Sequence, residues 1–460
     1  METKQIKSGN PPRVTHARVA RLALPMTLAH LSTPLLGIAD AAVIGRLGHA
    51  DLLGAISASA VIFDFIFWSF GFLRMGTAGL TAQALGAGDP VEQRATLQRA
   101  LIAAIMLGLA IIALQAPIAW ISLGALGASP EVTEATRLYF DIRIWSAPFA
   151  LANYALMGAI IGRGRTGLAL TLQVAINLGN IALNILLVYG LMLGIRGSAI
   201  GTLLAEISGA IIGLIFVWRM TGHLFAGAPK AVSDTARLMR MFVINRDIFV
   251  RNTALLFAFA FFTSQGARNG DIILAANAIL LNLVFIGAFF LDGFATAAEQ
   301  LCGQSLGARD LKSFREAVRL TGLWSVLFAA SLSALALLLG GVFIALLSTD
   351  PQVRIAAGHY LIFAASLPLI GTPAYLFDGV FVGATWTRDM RNMMVLSLAV
   401  YIASFIALRP LGNSGLWLSL HIFLLSRGLT LAWRYKILSA ESFPLAQSAA
   451  VTPTASASRG

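Results

Sequence analysis

The sequence predicts an all-α polytopic membrane protein with twelve transmembrane helices in two six-helix lobes related as parallel repeats. Three observations predict it: a scarcity of charge, apolar runs that recur down the chain, and an internal repeat at one constant offset. Only 12% of the 460 residues are charged while 58% are hydrophobic. A soluble globular chain carries about 25% charged residues, so this one cannot cover a water-facing surface. Apolar runs of about twenty residues are each long enough to cross a hydrocarbon core of about 30 Å.

The polar start, with Lys4, Lys7 and Arg13, reads as a tail. The apolar segment after it runs past signal-peptide length without an early small-residue cleavage site, so it reads as a retained first span. Breaks at Gly, Pro and charge then place spans near 18–45, 52–80, 97–123, 134–160, 168–190 and 197–219. A second set lies near 247–267, 272–299, 314–346, 353–383, 391–408 and 416–433. The chain divides accordingly into an N-terminal tail 1–17, a first lobe 18–220, a linker 221–245, a second lobe 246–434 and a C-terminal tail 435–460. The Ala/Ser/Thr composition after Ser439 predicts disorder.

The net charge of +12 does not point to nucleic acid, because the basic residues sort by topology. With the amino terminus inside, 24 of the 33 lie on the inner side, Arg427 among them, 7 lie on the outer side, Arg143 among them, and Arg74 and Arg251 lie within spans. That asymmetry places both termini in the cytoplasm. The lone cysteine, Cys302, excludes an internal disulfide.

The halves match at an offset of 221 residues, the difference between Gln83 and Gln304. Gln83-Ala84-Leu85-Gly86-Ala87-Gly88-Asp89 aligns with Gln304-Ser305-Leu306-Gly307-Ala308-Arg309-Asp310. The same offset pairs Arg94 with Arg315, Pro130 with Pro351, Tyr154 with Tyr375, Gly158 with Gly379 and Gly162 with Gly383. Each half holds an even number of spans, so the repeats are parallel, as in transporters that work by alternating access.

Ionisable groups inside a bilayer are expensive and are functional candidates by default. Span 5 carries Gln173, Asn177, Asn180 and Asn184 on one helical face, and span 6 carries Ser198, Thr202 and Glu206. At about 1.5 Å per residue, Asp40 of span 1 reaches the depth of Asn180, Asn184 and Thr202. A carboxylate among amides and a hydroxyl can bind a proton, a cation or a cationic ligand. Interhelical hydrogen bonding explains the amides equally well. Asp64 and Glu206 face the same cavity or neutralise Arg74. Pro25 and Pro34 permit a kink in span 1 and make it a candidate gate. In the second half Asp378 follows a break expected at Pro368 and Pro373, while Asp292 and Glu299 approach the inner end of span 8 as a solvated face. The histidines, His30 and His421 included, read as packing residues. No phosphate-binding loop, metal-ligand cluster or nucleophile–base arrangement stands out, so an enzyme, a metal and an organic cofactor are not expected.

The segment Leu36-Gly37-Ile38-Ala39-Asp40-Ala41-Ala42-Val43-Ile44-Gly45-Arg46-Leu47-Gly48 resembles the first-span signature of the multidrug and toxic compound extrusion (MATE) family. The blocks at Gln83 and Gln304 are similar to that family's repeated cytoplasmic loops. Asp378-Gly379-Val380-Phe381-Val382-Gly383 and Leu291-Asp292-Gly293-Phe294-Ala295 resemble its DinF branch. The resemblance implies a V-shaped pair of bundles in a bacterial inner membrane. These would export organic cations or amphiphiles in exchange for protons or sodium. It implies that Asp40 is the coupling carboxylate, with Asn180, Asn184 and Thr202 as partners. Asn184 stands where many relatives carry aspartate, and span 7 carries Arg251 and no acid, which disfavours a second-lobe sodium site.

The expected function is therefore a monomeric, proton-coupled antiporter that exports small organic molecules through a lipid bilayer. A dry recess disfavours the charged form of Asp40, so it can take up a proton outside and release it inside. The alternatives are a lipid-linked precursor flippase of the same superfamily, a sodium-coupled exporter, and a non-transporting membrane interaction protein.

Overall fold

The computed structural model describes residues 13–222 and 229–444, without the side chains of residues 33–35 and 229–230. The start of the N-terminal tail, linker residues 223–228 and the C-terminal tail from 445 lie outside the described residues. The described residues are helical with no strand. The membrane-length helices are α1 (His16–Gly45), α2 (Ala50–Gly86), α3 (Pro90–Ala113), α4 (Pro130–Gly162), α5 (Thr166–Gly190) and α6 (Gly194–Thr221). They continue with α7 (Thr235–Ala267), α8 (Asp271–Gly307), α9 (Leu311–Leu347) and α10 (Pro351–Gly383). The last apolar stretch, Thr387–Ser442, consists of α11 (Thr387–Leu408) and α12 (Gly412–Ser442), separated by a short 3-10 turn at Arg409–Leu411. A short helix, Gln115–Leu126, prolongs the third span. The chain is a multi-pass membrane protein of twelve helices, as its hydropathy predicts.

Two compact units are present. One holds residues 21–81 and 90–249; the other holds the chain up to Ala20, the segment 82–89 and residues 250–460. In the first, Met26, Leu97, Leu156, Ile160 and Leu172 form the apolar core. Its α5–α6 seam depends on small residues: Gly197, Gly201, Gly209 and Gly213 of α6 all touch α5 or its neighbours. Without a hydrophobic drive between helices in lipid, such close approach supplies the packing. α7 begins at Thr235, so the helix runs through Arg237 and Arg240, which the sequence assigns to the linker. Glu92 of α3 holds this region, accepting from Arg99 at 2.9 Å and from Arg237, while Arg99 also donates to the Ala231 carbonyl at 3.2 Å.

The core of the second unit gathers Phe262, Leu280, Tyr401, Trp417 and Phe423. Asn277 and Asn413 exchange side-chain hydrogen bonds at 2.8 and 3.0 Å, and the Trp417 indole donates to Asn277 at 3.0 Å. His421 joins Ser366 at 2.9 Å and the Trp417 carbonyl at 2.8 Å, a satisfied core histidine. α10 passes through Pro368 and Pro373 unbroken, contrary to the expected interruption. Gly287 of α8 and Gly428 of α12 leave room for the two proline rings beside the continuous helix.

The 221-residue offset is visible in the backbone. Gly158 abuts the Arg74 carbonyl and Gly162 the Ala78 carbonyl; Gly379 and Gly383 abut those of Ala295 and Glu299, the residues 221 further on. Left-handed turn residues correspond too: Gly88 with Arg309, and Gly164 with Thr385. Within the second unit, Gly86 abuts the Gln304 carbonyl and Gly307 the Gln83 carbonyl, a reciprocal contact of the two matching loops. Gln83 then donates to the Gly383 carbonyl at 2.9 Å and to the Thr385 hydroxyl at 3.1 Å.

A Cβ at Gly379 would overlap the Ala295 backbone, whereas one at Gly124 would meet open space. Gly379→Val should therefore cost about 1–3 kcal/mol or more by forcing α8 and α10 apart, while Gly124→Ala should be silent. Thermal unfolding of the purified protein in detergent checks both; equal Tm values for the two variants would contradict this packing.

Candidate functional site

The polar stripe of α5 meets α1 and α6 in the first unit. Asn184 is fully buried and donates through Nδ2 to Asp40 Oδ1 at 2.5 Å and to Asn180 Oδ1 at 3.0 Å. Asn180 donates to the Thr202 hydroxyl at 3.0 Å, and Thr202 donates to the Ser198 carbonyl at 3.1 Å. The spacing of three and four residues along α5 puts the two amides on one face, so the chain of bonds follows from helix geometry. Gly201 makes the recess possible: a Cβ there would overlap Asn184 Oδ1. Tyr189 secures the end of α1 by donating its hydroxyl to the Val43 carbonyl. Four of the residues singled out in the sequence are thus brought into one connected network, with Asp40 its only ionisable member.

Other candidates stand around it. Asn177 turns to α1 and donates to the Ser32 hydroxyl at 2.9 Å, with Gln173 donating to it at 3.1 Å. Glu206 accepts from Asn153 at 2.7 Å rather than from a cation. Asp64 is exposed on α2. Pro25 is half-buried in an uninterrupted α1; the Pro34 side chain lies outside the described residues.

Arg143, which the sequence assigns to the outer loops, is inside the unit. Its guanidinium lies 4.5 Å from the centre of the Phe63 ring, and it donates to Tyr139 Oη at 3.3 Å. Asp64, Asp40 and Glu206 all act on it electrostatically. Arg74 makes no ion pair with Asp64 or Glu206 among the described residues; its Nη1 is buried without a partner, near His30 and Tyr154. The i, i+4 pairing of Tyr139 and Arg143 was the available signal for Arg143, and a topology count that treats every loop-end cation as solvated discards it.

In the second unit Asp378 of α10 is clamped by two guanidiniums, Arg251 of α7 and Arg427 of α12. Arg427 is 1% exposed, which corrects its assignment to the cytoplasmic surface. Arg251 also donates to Asn252 at 2.9 Å. Glu299 is 3% exposed and not a solvated face, because α10 closes over it at Gly383. Asp292 is half-buried and acts on Tyr375, which also senses Arg251.

Among the described residues, apolar membrane-length helices built as two parallel repeats are the architecture of a membrane transporter. The chain belongs to the MatE family, whose model matches residues 25–186 and 248–408. It is 40% identical to the DNA damage-inducible protein F of Escherichia coli (strain K12), over 90% of this chain and 91% of that one. It is 26% identical to the probable multidrug resistance protein NorM of Rhizobium meliloti (strain 1021), over 92% of this chain and 93% of that one. Its fold matches a solved outward-facing conformation of a multidrug resistance MATE family transporter of the MOP superfamily, with a TM-score of 0.80 at 18% identity, covering 94% of this chain and 99% of that one.

Replacing Asp378 by Asn strands two buried cations and should cost about 3–5 kcal/mol. The triple variant Arg251→Gln/Asp378→Asn/Arg427→Gln should recover a large part of that loss. A triple variant less stable than the single one in thermal unfolding would contradict the clamp.

Proposed function

We propose that this chain is a secondary active exporter of small organic compounds, cationic or amphiphilic, driven by inward proton movement through Asp40. The observation that carries the reading is the bond from Asn184 to Asp40 and its continuation through Asn180 to Thr202. Every donor in that network belongs to an amide or a hydroxyl, so the arrangement is complete when Asp40 is an ionised acceptor. A proton converts Asp40 into a donor. Asn184 Oδ1, buried without a partner, is the open acceptor of the same side chain. Turning the amide to offer it breaks the bonds from Nδ2 to Asp40 and Asn180. The loss is transmitted to α1, where Pro25 and Pro34 lack the backbone donors that would stiffen the helix. Bending there contracts the first-unit pocket and expels the substrate, and release of the proton inward resets it.

The energetics suffice. One proton moving down about 100 mV yields about 2.3 kcal/mol, and each pH unit adds about 1.4 kcal/mol. Together these support a substrate gradient of roughly several hundred-fold, since about 1.4 kcal/mol is tenfold. Protons are favoured over sodium because Asp378, the buried acid of α10, already holds two cations. The same pairing disfavours a flippase, which needs free guanidiniums for a pyrophosphate. The organic substrate class is supported by the multidrug resistance relative aligned above. The charge asymmetry supports both termini being cytoplasmic, and the Escherichia coli relative supports a bacterial inner membrane.

In proteoliposomes carrying separate pH and sodium gradients, the wild type should drive dye exchange with the pH gradient alone. Asp40→Asn should abolish that exchange while leaving dye binding measurable. Unchanged exchange in the variant would sink the role of Asp40, and drive by sodium alone would replace the coupling ion.

A further inference from the structure

Two arginines at the end of the first unit where α2 meets α3 and α4 meets α5 have no role in the proposed transport cycle. Arg94 lies one turn into α3. Arg163 caps the carboxyl end of α4, just before the left-handed Gly164 that reverses the chain into α5. Arg163 spends Nη1 on the Ala159 carbonyl at 3.2 Å, a helix-terminal acceptor that favours a cation. Its Nη2 and the Nε of Arg94 are buried and have no hydrogen-bond partner among the described residues. Neither residue makes an ion pair there. Burial and the neighbouring Arg94 push the Arg163 guanidinium down to about 10, so it remains charged at neutral pH. No carboxylate contributes to that balance.

Two like charges held together and partly dried, with donors left over, are a costly arrangement unless an anion joins them. The adjacent Glu92 is turned to Arg99 and Arg237. The Thr81 side chain packs against Gly162, the residue before Arg163, and its hydroxyl is buried without a partner among the described residues. The second repeat supplies an internal comparison. Arg315, the counterpart of Arg94, is exposed, and Ala384 stands at the position of Arg163. The pair is therefore specific to the first unit and not a by-product of the repeat. Lipid phosphates lie at this depth, where helices emerge from the hydrocarbon, and basic pockets between helix ends suit anionic head groups.

We propose that Arg94 and Arg163 form a binding site for the phosphodiester head group of an anionic membrane lipid. The guanidiniums offer forked donors to the phosphate oxygens. The acyl chains extend along the apolar outer face of α3, where Ile102, Ile105, Met106 and Leu109 are exposed. The site does not depend on which ion or substrate the protein moves.

Delipidated full-length protein in detergent can be titrated with dioleoyl phosphatidylglycerol, dioleoyl phosphatidylcholine and inorganic phosphate, with binding read by native mass spectrometry. Phosphatidylglycerol should bind in preference to phosphatidylcholine. Arg94→Gln/Arg163→Gln should weaken it at least about tenfold, a loss of about 1.4 kcal/mol. Arg163→Lys, which keeps the charge and loses the fork, should bind more weakly than the wild type and more tightly than Arg163→Gln, and the exposed Arg165→Gln should not alter binding. If the double variant does not accumulate, Arg163→Gln alone should show the loss. Equal binding of the two lipids, unchanged binding by the neutralised variants, or displacement of the lipid by millimolar phosphate would each overturn the proposal.

Discussion

A bilayer offers no water to a buried side chain, so each polar group in these helices must find its partner inside the protein. The bond between Asn184 and Asp40 is the clearest consequence. Two helices separated by more than a hundred residues of chain are joined by a half-buried carboxylate that accepts from a fully buried amide. The amide that serves it is itself fixed by Asn180 and by the bare backbone of Gly201. In the proposed cycle function and packing would use the same atoms, because a change in the proton count of Asp40 would alter the contact between α1 and α5 directly.

The two repeats share a frame and differ in what they bury. Close approach at Gly158 and Gly162 in one, and at Gly379 and Gly383 in the other, sets equivalent helix pairs by the same means. On that common frame the first unit carries a carboxylate held by neutral amides, an arrangement that leaves its charge adjustable. The second carries Asp378 between two arginines, where a change of charge would leave buried cations unpaired. One repeat thus keeps an ionisable group poised and the other locks one in place. The contrast is the physical reason for which the proposed coupling is sought in the first unit.

Helix number and the repeat were legible because each rests on a local or periodic property; helix ends were less so, since α7 begins at Thr235 and α12 runs on to Ser442. Apolar length sets the spans, Gly and Pro mark the turns, and a constant offset survives in Gln, Gly and Tyr positions. The α5 stripe was legible for the same reason, since spacing alone puts Asn177, Asn180 and Asn184 on one face. The destination of each amide was not: Asn177 went to Ser32 and not to the network. Arg143 and Arg427 were misplaced because a charge near a loop reads as solvated unless its partner is known. Their partners, the Phe63 ring and Asp378, are far away in sequence.

The sequence by itself determined that this is a membrane protein of repeated helices with an acid in its first span, because hydropathy, periodicity and offset are properties of the chain. Only the tertiary structure decided which polar groups pair, which acid stays unpaired with a cation, and which arginines are left without a counter-charge. Pairing depends on distances between side chains brought together by packing, and those distances are not encoded in the spacing of residues along any one helix.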